Sequence, residues 1–153
     1  MSATTAADAR VQFAQKAVIL DGDRVLTVRK GPDDPFQPGR WELPGGRMRA
    51  GESPDDALAR EVWEEVGLKV IPGRPLAVWS WRLGDGPDAP TVVAVARLCA
   101  TAAGSTPRVV AAEIDRAAWV PVGDVLTLDL IPSARGPITE ALAQLDTGEK
   151  THG

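Results

Sequence analysis

At 153 residues the chain has room for one domain with a sizeable core and not for two. Apolar residues make up 44% and charged residues 25%, which argues against disorder throughout, and no apolar run approaches the roughly 18 residues that span a bilayer. A net charge of −4 speaks against general nucleic-acid binding, Cys99 as the only cysteine rules out an internal disulfide or a thiolate zinc site, and His152 as the only histidine leaves no catalytic triad to build.

Taken in chain order, Met1 to Arg10 is small and polar and lacks the apolar stretch of a secretory signal, so a cytoplasmic location is expected. Residues 1–9 read as a disordered lead-in, 10–146 as the domain and 147–153 as a frayed tail. Val11 to Leu20 is apolar-rich and predicts a strand, and Arg24 to Lys30 predicts another, the two joined by the turn Asp21-Gly22-Asp23. Gly31 to Arg40 holds three prolines and two glycines and predicts a loop. Trp41 to Leu43 predicts a short strand ended by a chain reversal at Pro44-Gly45-Gly46.

Ser53 fits a helix N-cap, Pro54 the first helical position, and Asp55 and Asp56 the positive end of the dipole. That helix should run to about Val66 and stop at Gly67. Leu68 to Leu83 and Thr91 to Ala100 predict strands joined by the turn-rich Gly84 to Pro90; Thr101 to Pro107 is a loop. Trp119-Val120 lies in a short apolar stretch, and Ile138 to Leu145 predicts a second helix. The pattern is a mixed sheet with two helices, α+β or α/β.

Within the first helix Glu61, Glu64 and Glu65 stand at i, i+3 and i+4, so their carboxylates share one face within an arc of about 100°. The spacing is unfavourable: like charges at i and i+4 repel, and the macrodipole disfavours anions in the second half of a helix. A hard divalent cation would reverse both penalties, so the reading is compensation by a cation and not by a basic neighbour. Oxygen donors without histidine point to Mg²⁺ or Mn²⁺. A solvated acidic face is the plainer alternative on the glutamates alone.

The surroundings add to the case. Gly46, Glu52, Arg60, Glu61, Glu64, Glu65 and Gly67, with Val62 and Leu68 aliphatic, match the Nudix box at every specified position. A chance match of this kind has a probability on the order of 10⁻⁷ over such a chain. The chain therefore resembles the Nudix hydrolases, strongly over Gly46–Leu68 and more weakly through Trp41-Glu42-Leu43-Pro44-Gly45 and the order of elements.

The resemblance implies an α/β/α sandwich around a mixed sheet, with the box as loop–helix–loop. It also implies that Glu61, Glu64 and Glu65 bind metal with the Gly45 carbonyl, and that Arg60 and Glu52 form a salt bridge orienting them. The implied reaction is metal-assisted attack of water on a nucleoside diphosphate linked to another moiety: a nucleoside triphosphate, a nucleotide sugar or ADP-ribose. The base is a box glutamate in some relatives and a later loop glutamate in others. Glu113 is the later residue that fits, as base or fourth ligand, with Asp115 behind it. The resemblance allows a homodimer and implies neither a nucleic-acid polymer nor a membrane as partner. Rival activities for this fold are a nucleotide-sensing module without catalysis and an isoprenyl diphosphate isomerase. The sensor is disfavoured because no box glutamate is missing, the isomerase because Cys99 in an apolar strand is a poor stand-in for its cysteine.

Among five tryptophans, Trp79 and Trp81 share one strand face and suit either base stacking or packing, while Trp63 and Trp41 read as packing residues. Arg40 and Arg47, with Arg29 and Arg49, flank the glycine turn and could contact phosphates. Asp33-Asp34-Pro35-Phe36 lies in a loop expected to border the pocket.

Overall fold

Alternate side chains of the first strand leave for opposite sides of the sheet, and this divides the core in two. In β1 (Val11–Asp21), Ala17 and Ile19 belong to one buried cluster while Val18 and Leu20 belong to another. Residues 10–145 are described by the structure, a computed structural model. The expected lead-in, tail and His152 lie outside the described residues.

Six further strands follow: β2 (Arg24–Lys30), β3 (Trp41–Glu42), β4 (Gly45–Arg47), β5 (Ile71–Arg82), β6 (Thr91–Ala100) and β7 (Ile114–Pro121). Helix α1 (Pro54–Val66) precedes β5, and a 3-10 segment, Val122–Thr127, leads to α2 (Pro132–Ala143). The sheet is mixed, in the order β3-β2-β1-β6-β5; β1 runs parallel to β6 and antiparallel to β2 and β4, and β7 pairs with β2. Helix α1 contributes Leu58, Val62 and Val66 to the cluster on one face, and α2 contributes Ile138, Ala141 and Leu142 to the cluster on the other. The layers are therefore α/β/α, as expected.

The ends of α1 follow from its sequence. Ser53 Oγ accepts the Asp56 N–H at 3.1 Å, Pro54 opens the first turn, and Gly67 closes the helix at φ 67, a left-handed conformation that glycine adopts without strain. Ser53→Ala is expected to cost about 1 kcal/mol and lower the melting temperature by a few degrees; an unchanged thermal transition would show that the cap contributes nothing.

Several expectations need correction. Pro44-Gly45-Gly46 is not a reversal: Gly45–Arg47 is strand β4, paired with Ala14–Lys16. The third long strand begins at Ile71, because Leu68 and Val70 turn into the α1-side core first. Helix α2 starts at Pro132, where a proline at the first helical position sacrifices no hydrogen bond, and ends at Ala143. Pro137 inside it masked the early turns. Trp63 is 48% exposed and does not pack in the core; Lys69 Nζ sits 6.0 Å from its ring centroid.

Candidate active site

Two glycines bring β4 against its neighbours. A Cβ on Gly45, whose φ is 145, would fall on the Gln15 backbone of β1, and one on Gly46 would fall on the Glu61 carboxylate of α1. Glycine at 45 thus lets two strands meet, and glycine at 46 lets the helix carboxylate reach the strand. The Lys16–Gly45 pair is flanked by the bond from Ala17 N–H to the Pro44 carbonyl, so it is a non-hydrogen-bonded pair and the Gly45 carbonyl points away from β1.

Arg60 organises the acidic face. Its Nε and Nη2 donate to the two oxygens of Glu52 at 2.6 and 2.8 Å, and its Nη1 donates to Glu61 at 2.9 Å and Glu64 at 3.2 Å. The fork on Glu52, with the Arg49 N–H at 2.8 Å, pulls the Glu52 carboxyl down to about 2. The salt bridge implied by the resemblance is present. The expectation of no basic neighbour is corrected: Arg60 bridges Glu61 and Glu64, and the Arg49 guanidinium stands 3.8 Å from Glu64. One guanidinium shared among Glu52, Glu61 and Glu64 still leaves negative charge in excess.

Glu65 takes another direction. It is buried, 5% exposed, and its Oε1 has no hydrogen-bond partner among the described residues. Burial pushes its carboxyl up to about 7, with the charges of Glu42 and Glu113 adding to the rise and Lys16 and Lys30 opposing it. Beside it Lys16 Nζ donates to Glu42 Oε1 at 3.1 Å, and Lys30 Nζ lies 3.6 Å from the same oxygen. Burial alone would raise the Glu42 carboxyl, yet the two ammonium groups hold it below its ordinary value. Neither lysine nor Glu42 stood out as a site residue in the sequence, although a lysine interrupting the apolar run of β1 was a signal.

Could these residues hold a divalent cation? Among the described residues no group of three or more His, Cys, Asp or Glu side chains converges as a metal site, because Arg60 occupies the space between Glu61 and Glu64 while Glu65 turns inward. The donors nonetheless suit a hard cation: Glu61, Glu64, Glu65 and the Gly45 carbonyl are all oxygen, and among the described residues the buried Oε1 of Glu65 lacks the partner that a buried polar atom requires.

The other expected residues are dispersed. Glu113 is exposed just ahead of β7, its carbonyl accepting the Gly31 N–H, and it lines a cavity of about 260 Å³ with Asp33, Asp34 and Asp115. Asp115 is occupied by Arg29 through two bonds of 2.7 and 2.9 Å. Arg40 pairs with Asp129 and donates to the Leu130 carbonyl, while Arg47 is exposed at the end of β4 and its carbonyl accepts from Arg60. Trp79 and Trp81 stack at 6.5 Å on the sheet face opposite α1, against Ala14, Val92 and Ala94. Trp41 packs on the α2-side core, with the guanidiniums of Arg29 and Arg116 at 5.7 and 5.9 Å from its ring centroid. Cys99 is buried and its thiol pushed up to about 12 by desolvation, an inert group.

A Mycobacterium tuberculosis protein, provisionally named 8-oxo-dGTP diphosphatase 2, is 33% identical over 135 residues, covering 88% of this chain and 91% of its own. The MutT protein of Methanosarcina mazei Go1 superposes with a TM-score of 0.72 at 23% identity, over 88% of this chain and 94% of that one. An ADP-ribose pyrophosphatase from Streptococcus suis superposes at 0.64 and 24% identity, over 86% and 90%. Both superpositions speak for the fold. No helix among the described residues is long and apolar enough to cross a membrane. The NUDIX domain model matches residues 12–142, nearly the whole described fold, and the chain belongs to the Nudix family.

Proposed function

We propose that the chain is a pyrophosphohydrolase that uses water to split a nucleoside diphosphate linked to another moiety, with nucleoside triphosphates as the first class to examine. The observation that carries this reading is the unpartnered, buried Oε1 of Glu65 beside a helix face whose remaining glutamates share a single guanidinium. The relative at 33% identity, named as an 8-oxo-dGTP diphosphatase, supports a nucleotide-type substrate.

In this reading Glu61, Glu64, Glu65 and the Gly45 carbonyl hold Mg²⁺ or Mn²⁺. When bound, such an ion neutralises phosphate charge and makes water a better nucleophile. Arg60, anchored on Glu52, holds Glu61 and Glu64 aimed at one place, a positioning role. Glu64, with 48% of its side chain exposed, is assigned as acceptor of the water proton. Glu113 is the competing assignment, because its exposed carboxylate stands near enough for its charge to raise the Glu65 carboxyl. Arg47 and Arg40 are assigned to substrate phosphates, and the Trp79–Trp81 stack to the base.

A panel of nucleoside triphosphates, nucleotide sugars and ADP-ribose, incubated with Mg²⁺ at mildly alkaline pH and read by pyrophosphate or phosphate release for the triphosphates and by formation of the nucleoside monophosphate for the other two, tests the proposal. Release from at least one class is expected. Nucleotide binding with no release from any would transfer the fold to a sensing role.

A further inference from the structure

Gln15 lies where three elements meet. Its backbone in β1 pairs with Gly46 of β4, so closely that a Cβ on Gly45 would overlap the Gln15 carbonyl. Its buried side chain donates from Nε2 to the Pro54 carbonyl, in the first turn of α1, at 2.7 Å. Its Oε1 accepts from Arg97 Nη1 of β6 at 3.2 Å. Arg97 is itself held on two further sides: Nε donates to the Gly73 carbonyl of β5 at 2.9 Å, and Nη2 stands 2.6 Å from Asp55 Oδ1 at the start of α1. Together the two side chains tie β1, β5, β6 and the first turn of α1 into one polar junction.

Apolar packing does not account for it. Leu58, Val62 and Val66 choose which face of α1 meets the sheet, but the hydrophobic effect is non-directional and tolerates a small slide along the helix axis. A hydrogen bond to a fixed carbonyl does not, because it weakens steeply away from its preferred distance and angle. A buried amide, and a guanidinium with only 14% of its side chain exposed, also carry a desolvation cost that apolar residues of like size would avoid. The junction instead sets an offset, since the residue that receives β4 on its backbone receives α1 on its side chain. The candidate oxygen donors are divided between those same two elements: the Gly45 carbonyl on β4, and Glu61, Glu64 and Glu65 on α1. The fit between them is already tight, with the Glu61 carboxylate resting on Gly46 where a Cβ would stand. A functional constellation of this kind tolerates misplacement of only about 0.5 Å.

We propose that Gln15 and Arg97 are positioning residues that fix the axial register of α1 against β4, and with it the spacing of the oxygen donors on the two elements. This rests on the metal assignment of the hydrolase reading. Both residues act through the elements they hold, so their loss is felt as weaker cation binding in protein that is still folded.

The test is calorimetric titration with Mn²⁺, without substrate and well below the melting transition, of the parent, Gln15→Met and Arg97→Met. Ile138→Val, in the α2-side core, serves as the control for stability alone. Each methionine variant is expected to bind Mn²⁺ about tenfold or more weakly, the scale on which metal sites lose affinity when a residue orienting their ligands is removed. Ile138→Val is expected to lower the melting temperature and keep the parent's affinity. A junction that serves folding alone would lower the melting temperature of the methionine variants and leave their Mn²⁺ affinity at the parent's value, which overturns the proposal and leaves the hydrolase reading standing. Having two methionine variants keeps the test decisive if one of them does not fold. An equal loss of affinity in Ile138→Val overturns the proposal as well, since any loosening of the fold would then suffice. A parent that binds no Mn²⁺ at millimolar concentration overturns the metal assignment and the positioning role together.

Discussion

Glu64→Gln is expected to lower turnover by at least about 10²-fold, the scale of a lost general base or metal ligand. The amide keeps the shape and the contact with Arg60 Nη1, now at 3.2 Å, but cannot take a proton from water. Glu64 is 48% exposed, so its carboxylate contributes little to folding and the melting temperature should hold. That separation matters, because a fall in activity without a fall in stability locates the effect in the chemistry. Steady-state kinetics of the parent, Glu64→Gln and Glu113→Gln decide between the two assignments of the base. A Glu64→Gln enzyme within about threefold of the parent would remove Glu64 from the mechanism, and a large loss in Glu113→Gln alone would move the base to that loop.

Glu65→Gln should act in the opposite way on the metal-free protein. The Glu65 carboxyl is pushed from its ordinary 4.5 up to about 7, chiefly by burial. Between those values the folded chain holds a proton that the unfolded chain has released, so stability falls as pH rises, and above about 7 the full penalty is present. It amounts to a few kcal/mol. Glutamine has no proton to lose. In EDTA the variant is therefore expected to melt above the parent at about pH 8 and to converge with it in acid, below the ordinary carboxylate range. Millimolar Mg²⁺ should reverse the order, raising the parent's melting temperature because only the folded helix gathers the carboxylates, and raising the variant's much less. Thermal melts across pH, with and without Mg²⁺, check both halves. A variant with the parent's pH profile and the parent's full Mg²⁺ response would show that Glu65 neither carries the buried charge nor serves the cation.

How much of this was legible beforehand differs from element to element. Both ends of helix α1 were readable, since Ser53, Pro54 and Gly67 each satisfy a local requirement of helix ends and need nothing from the rest of the fold. The box glutamates and the Arg60–Glu52 pair were equally local, lying within one helix and the loop before it. Strand β4 was not readable. Gly45-Gly46 carries turn residues, and its strand conformation comes from pairing with Ala14–Lys16, about thirty residues earlier, through a close approach that glycine alone permits. Helix α2 was half readable: its buried stripe announced itself, but Pro137 concealed the turns before it.

Sequence by itself determined the family, the two-helix mixed-sheet class and the acidic face of α1, because spacing along one helix sets which side chains share a side. Tertiary structure alone decided how charge is distributed around that face. Glu65 turning inward with no partner among the described residues, and lysines from β1 and β2 meeting Glu42 of β3, are products of packing between segments far apart in the chain. Helical periodicity specifies direction within an element, whereas burial and pairing of charges depend on what the other elements bring against it.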